Sequence, residues 1–219
     1  MRLRRMILAI LAVACMKGGA MASPFEQLAQ VCAASGLSLD QRVEAIEALG
    51  YGPADEAAVN RQRHDAALAM ILGSDQPVSE IAAKGGAMIL KVAKAAAMTF
   101  ERRIAEPDKS RLLSKPGGYE VLVSAELSPV SKTRAFMLSQ CIISAGLGLG
   151  GGGERVRFPA GAEMNDADFA TLAGYQNDGA ATTIAFPKLP KYGGTLPGDW
   201  PELGLVAVVF RSDPVKLQP

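Results

Sequence analysis

The sequence predicts an α+β fold, with N-terminal helices packed on a C-terminal, mainly antiparallel β-sheet. Three observations predict it. Apolar residues repeat at helical spacing up to about residue 105, and the period changes to two from Tyr119 onward. The two kinds of segment do not alternate along the chain, which argues against a parallel α/β arrangement. Half the residues are apolar (49%) and 21% are charged, with a mean hydropathy of +0.15, so the chain has enough apolar material for a core.

The elements follow in order. Ser23-Pro24-Phe25-Glu26 reads as a capping box with proline at the first helical position, opening a helix over 24–35 that stops at Gly36. Ser38-Leu39-Asp40-Gln41 is a second box, opening a helix whose stripe Val43, Ile46 and Leu49 ends at Gly50. A third helix is expected over 55–72 and a fourth over 78–105, the latter interrupted by Gly85-Gly86. The strands expected are 119–127, Arg134–Ile143, Arg155–Phe158, Thr182–Phe186 and Leu203–Arg211. A short helix is expected at 166–175, capped by Asn165 with Asp168 at its third position.

Residues 1–22 read as a secretory leader. Arg2, Arg4 and Arg5 precede the apolar run Met6–Cys15, and Ala20-Met21-Ala22 offers the small-x-small pattern that signal peptidase accepts before Ser23. The alternative is a lipoprotein, because Ala12-Val13-Ala14-Cys15 resembles a lipobox whose cysteine would be acylated. The expected organisation is therefore a signal peptide over 1–22 and one domain over 23–219, helical over about 24–105 and mainly strand over about 118–212. The style of the leader suggests a bacterial protein, periplasmic or secreted.

The leader contains four of the 23 basic residues and none of the 22 acidic ones, so the mature chain is mildly acidic. Nucleic acid is thus rejected as a partner. No apolar run approaches the roughly 18 residues needed to span a bilayer. Removing the leader removes Cys15 and leaves Cys32 and Cys141, for which only one pairing exists in an oxidising compartment. A disulfide between them would tie the first helix to the sheet.

Chemistry-bearing motifs are few. Gly146-Leu147-Gly148-Leu149-Gly150-Gly151 matches a dinucleotide-binding pattern in letters, but loop and strand follow where the mechanism requires a helix N-terminus, so it reads as a flexible connection. His64 is the only histidine, and it reads as a surface residue on the polar part of the third helix. Neither a cofactor nor a metal site is expected, and no nucleophile signature stands in the mature chain. Glu120 and Glu126 share a strand face and read as a solvated edge. Lys84, Lys91, Lys94, Arg102 and Arg103 accompany the apolar stripe of 78–105, which reads as core with a wet basic face. Pro187–Glu202 contains four prolines, Tyr192 and the only tryptophan, Trp200; long irregular segments of this kind are often binding loops.

The function expected is a non-catalytic binding domain whose partner is a protein, peptide or glycan. The alternatives are a hydrolase with carboxylates brought together only in space, or a membrane-surface protein acting through 78–105.

Overall fold

A computed structural model describes residues 22–72, 95, 98–131, 133–145, 163–166, 170–177, 180–187 and 204–216. The expected leader except Ala22, the glycine-rich tract, the expected strand Arg155–Phe158 and, except Pro187, the tract containing Tyr192 and Trp200 lie outside the described residues, as does most of 78–97. Both capping boxes form. The Ser23 hydroxyl accepts from the Glu26 N–H at 3.2 Å while the Glu26 carboxylate accepts from the Ser23 N–H at 2.8 Å, opening α1 (Pro24–Ala33). Ser38 and Gln41 repeat the pattern at 3.3 and 3.0 Å to open α2 (Leu39–Glu47). Gly50, at φ +88°, turns the chain out of α2 in a conformation that a side chain would strain. A two-residue strand β1 (Gly52–Pro53) leads into α3 (Glu56–Leu72), and residues 98–104 form α4.

Seven strands follow: β2 (Ser110–Ser114), β3 (Tyr119–Pro129), β4 (Arg134–Ala145), β5 (Glu163–Asp166), β6 (Ala170–Asn177), β7 (Ala180–Pro187) and β8 (Leu205–Lys216). The sheet order is β1-β2-β3-β4-β8-β7-β6-β5, and every neighbouring pair is antiparallel. Two meanders therefore meet at the centre, where β4 lies beside β8. Beyond Ser124 and Ser212 the sheet narrows to β3, β4 and β8, and both free edges of this tongue contain a proline, Pro129 and Pro214. Proline has no N–H to offer a further strand, so these edges resist strand addition.

One expectation is corrected here. The helix expected at 166–175 is not found among the described residues: Glu163–Asp166 and Ala170–Asn177 are strands that pair with each other, and Ala170–Asn177 pairs along its whole length with β7. A local cap signal at Asn165 lost to eight residues of ladder and to the complete burial of Ala173. Ser110–Ser114 and Gly52–Pro53 are strands that the alternation pattern did not identify.

Helices cover both faces of the sheet. On the first face, Phe25, Leu28 and Cys32 of α1 and Leu39 and Ile46 of α2 pack on Val121, Val123, Cys141, Ile143, Ile184, Ala207 and Val209. On the second, Ala66 of α3 and Phe100 of α4 pack on Leu122, Ile142, Ala185 and Val208. Residues 119–123 of β3 are consequently buried on both faces, not on one as their period of two suggests.

The end of α1 is clamped to the first face by a covalent bond and two arginines. Cys32 and Cys141 are bonded, with Cα atoms 5.9 Å apart. Arg42, fully buried, donates through Nη1 to the carbonyls of Val31 and Cys32 at 2.6 Å each and through Nη2 to Ala34 at 3.2 Å. Arg211 donates to the Ala33 carbonyl and to Thr182 Oγ1, and forks onto Asp213 at 2.9 and 2.6 Å. Four carbonyls at the end of α1 thus receive guanidinium donors, Val31 in addition to the Ala34 N–H, with charge that complements the helix dipole. Burial lowers the Arg42 pKa to about 10, with Asp213 opposing and Arg211 reinforcing the shift. The disulfide fits an oxidising compartment. Among the described residues no helix is long and apolar enough to cross a membrane.

Candidate functional site

Strand register arranges the second face into four rows across the sheet. Glu120, Ser144 and Leu205 form the first, aligned past an irregularity at Ile143/Ser144 that brings Leu205 opposite Ser144. Leu122, Ile142, Val208 and Ala185 form the second. Ser124, Gln140, Phe210 and Thr183 form the third, and Glu126, Leu138, Ser212 and Ala181 the fourth. Every side chain of the second row is buried beneath α3 and α4, whereas every side chain of the third and fourth rows is at least partly exposed. The apolar cover ends between rows two and three.

Rows three and four form the floor of an open groove of about 750 Å³, within the usual range for ligand sites. The wall is Thr99, Arg102, Arg103 and Glu106 on and just after α4, with Lys109 beyond. Phe100 and Ile104 of the same helix turn toward the core and fix its position. Arg103 Nη1 donates to Gln140 Oε1 at 2.9 Å, which orients both side chains; the Gln140 amide N–H groups find no acceptor among the described residues. Lys109 bridges Glu106 at 2.8 Å, lowering the Glu106 pKa and raising its own. Neither Arg102 nor Arg103 makes an ion pair among the described residues. The groove therefore presents the Arg103 guanidinium, held by the Gln140 amide, and the Arg102 guanidinium, which helps to lower Glu106, beside the carboxylates of Glu106 and Glu126, hydroxyls, an aromatic ring and a leucine.

A second polar cluster lies at the opposite end of this face, under α3. Arg61 grips Glu120 Oε1, with its Nε at 2.7 Å. Gln62 Nε2 donates to the Ile142 carbonyl at 3.1 Å. Asp65 Oδ1 accepts from the Gly204 N–H at 3.1 Å, and Ser144 lies beside it. Burial pushes the Asp65 pKa up to about 6, against hydrogen bonds that lower it, and nearby Glu120 adds to the rise. Burial likewise raises Glu120, with Arg61 opposing. Gln62 Oε1 and Glu120 Oε2 have no hydrogen-bond partner among the described residues, so the cluster has more buried acceptors than donors. Gly204 is required at this point: a Cβ would meet the Ala145 carbonyl oxygen at 2.8 Å.

The sequence-selected residues divide accordingly. Cys32 and Cys141 meet. Ser23 is found as a helix N-cap, and Ala22, just before it, accepts from Gln27; Ala20, Cys15, Tyr192 and Trp200 lie outside the described residues. His64 is in α3, but its side chain is not among those described. Glu120 is corrected: it is 2% exposed and paired with Arg61, not solvated, because α3 covers that end of the strand. Glu126 is exposed as expected. Ser124, Gln140, Thr183, Phe210 and Ser212 were missed. Except for Phe210 their signal was present, since polar residues interrupt otherwise apolar strands, but only the register shows that three of them, Ser124, Gln140 and Thr183, align in one row. Among the described residues, no group of three or more His, Cys, Asp or Glu side chains gathers to hold a metal.

No protein-family model matches the chain, and no match is found among curated proteins or among solved structures.

Proposed function

We propose that this chain is an exported, non-catalytic binding domain, periplasmic or secreted, and that the groove over rows three and four is where its partner binds. One observation carries the reading: the four side chains of row two are all buried, and the eight of the next two rows are all accessible and mostly polar, although the strands run on unbroken. A sheet face that serves only as core would be covered or uniformly solvated; this one offers convergent hydrogen-bonding groups around a ring and a leucine. Export is supported by the basic and apolar leader ahead of Ala20-Met21-Ala22 and by the Cys32–Cys141 bond, which suits an oxidising compartment. Cleavage before Ser23 would leave the α1 cap intact, whereas acylation at Cys15 would keep the domain on a membrane.

The test is to probe glycan and peptide arrays with the wild-type chain and with Thr183→Trp, which fills an open groove and not a core. A ligand that binds the first and not the second supports the reading. Equal binding by both would move the site elsewhere.

A hydrolase reading draws on Asp65 and Glu120, two buried carboxylates whose charges repel. It is the weaker one, because Glu120 is held by Arg61 and Asp65 by the Gly204 N–H. Loss of a measured hydrolytic activity in Asp65→Asn, with the fold retained, would favour it. The membrane-surface reading is weakened by Phe100, which is fully buried against the sheet and unavailable to lipid.

A further inference from the structure

We propose that the groove takes a short acidic saccharide, with its oxyanion at Arg102 and Arg103 and its hydroxyls along the Ser124–Gln140–Phe210–Thr183 row. This inference rests on the binding reading above and specifies its ligand.

The charge argument comes first. The wall and rim present three cations, Arg102, Arg103 and Lys109, against two anions, Glu106 and Glu126. Lys109 is committed to Glu106 and feels Glu126, and Arg102 also acts on Glu106, which leaves Arg103 as the cation without an acidic neighbour among the described residues. Arg103 is held by a neutral amide oxygen, not by an acid, so its charge is oriented yet not neutralised. A planar guanidinium fixed in this way is suited to a carboxylate or another oxyanion, which it can engage through two N–H groups.

The floor decides between saccharide and peptide. A peptide commonly binds a sheet by adding a strand, which needs a free edge; the two edges of the tongue beside the groove each contain a proline, Pro129 and Pro214, and the groove opens on a face whose backbone is already paired. A helical peptide needs an apolar stripe, and the two rows offer only Phe210 and Leu138 as large apolar groups. What remains is Ser124, Thr183 and Ser212 hydroxyls, the Gln140 amide, one partly exposed ring and, at the margin, the Glu126 carboxylate. That combination matches a molecule with hydroxyls around its edge and C–H groups on its face. Four strands give the row a width of about 14 Å, enough for several sugar rings and too narrow for a globular partner to enter.

The experiment uses the chain from Ser23 in its disulfide-bonded form, titrated calorimetrically with α-1,4-linked tetragalacturonate, neutral maltotetraose, tetraglutamate and inorganic phosphate. Binding of tetragalacturonate is expected, weakening as salt is raised. Arg103→Ala and the more exposed Arg102→Ala should each weaken it by about tenfold or more, the scale of a lost charge-assisted hydrogen bond. Thr183→Val, which removes one hydroxyl and keeps the shape, should weaken it less. Maltotetraose binding as well as tetragalacturonate, or indifference to both arginine variants, would overturn the acidic-saccharide assignment while leaving a groove binder. Tighter binding of tetraglutamate would replace it with a peptide ligand, and phosphate binding equally well would reduce it to a simple anion site. Absence of tetragalacturonate binding at millimolar concentration overturns the assignment, and indifference of every array ligand to Thr183→Trp overturns the groove itself.

Discussion

Breaking the Cys32–Cys141 bond should cost the domain a large part of its stability without altering its native structure. The two residues are 109 positions apart, so the bond closes almost half the chain into one loop. In the chain-entropy model a loop of that length raises the free energy of the unfolded ensemble by about 5 kcal/mol, against a usual domain stability of roughly 5–15 kcal/mol. Native α1 would remain in place, because Arg42 and Arg211 still hold the carbonyls of Val31, Cys32, Ala33 and Ala34. The loss therefore lies mainly in the unfolded state. Urea unfolding of the oxidised protein, of Cys32→Ala, of Cys141→Ala and of the double variant reads this directly. Each single variant should lose on the order of 2–5 kcal/mol, the double should cost little more than either single, and the m-value should rise as the unfolded chain expands. Costs that add between the two singles would show that each thiol contributes by packing alone, and an unchanged midpoint would refute the reasoning.

Other perturbations follow from the same geometry. Arg42→Ala should lower stability by about 2–5 kcal/mol in thermal or urea unfolding, because three carbonyl acceptors lose a buried charged donor; Arg42→Lys should restore little, since one ammonium cannot fork onto all three. Asp65, whose pKa is raised in the folded state from 3.8 to about 6, contributes stability that is full below pH 4 and is lost as pH rises through 6. Relative to Asp65→Asn, the wild type should therefore lose on the order of 1–3 kcal/mol between pH 4 and 7; a pH-independent difference between the two would mean that Asp65 titrates normally. Gly204→Ala should be poorly folded or strongly destabilised by circular dichroism, because its Cβ would press on the Ala145 backbone at 2.8 Å; a normal melt would show that the β4 and β8 ends can separate.

What the sequence made legible is what local chemistry dictates. The serine boxes at Ser23 and Ser38, the stop at Gly50, and the strand over Tyr119–Leu127 each rest on neighbouring residues, and each is found, although residues 119–123 are buried on both faces. Cys32 and Cys141 were legible for a different reason: elimination left a single pairing. The segment 166–175 was misread because its strand character comes from β7, a partner that periodicity does not reveal. Glu120 was misread for the same reason, since only tertiary packing brings Arg61 of α3 over β3. The groove was not legible at all. Ser124, Gln140, Thr183 and Phe210 come from four strands up to 86 positions apart, and only the register aligns them.

The proposed binding surface is the pair of rows three and four. The most direct test is to follow backbone amide shifts of the 15N-labelled, disulfide-bonded chain from Ser23 during titration with tetragalacturonate. The largest changes should fall on Ser124, Gln140, Phe210, Thr183 and Ser212, with the Arg102 and Arg103 amides moving in step. Little should change at Cys32, Ile46 or Val121 on the opposite face. Shifts confined to that opposite face or to the Asp65–Glu120 end, with the two rows silent, would contradict it.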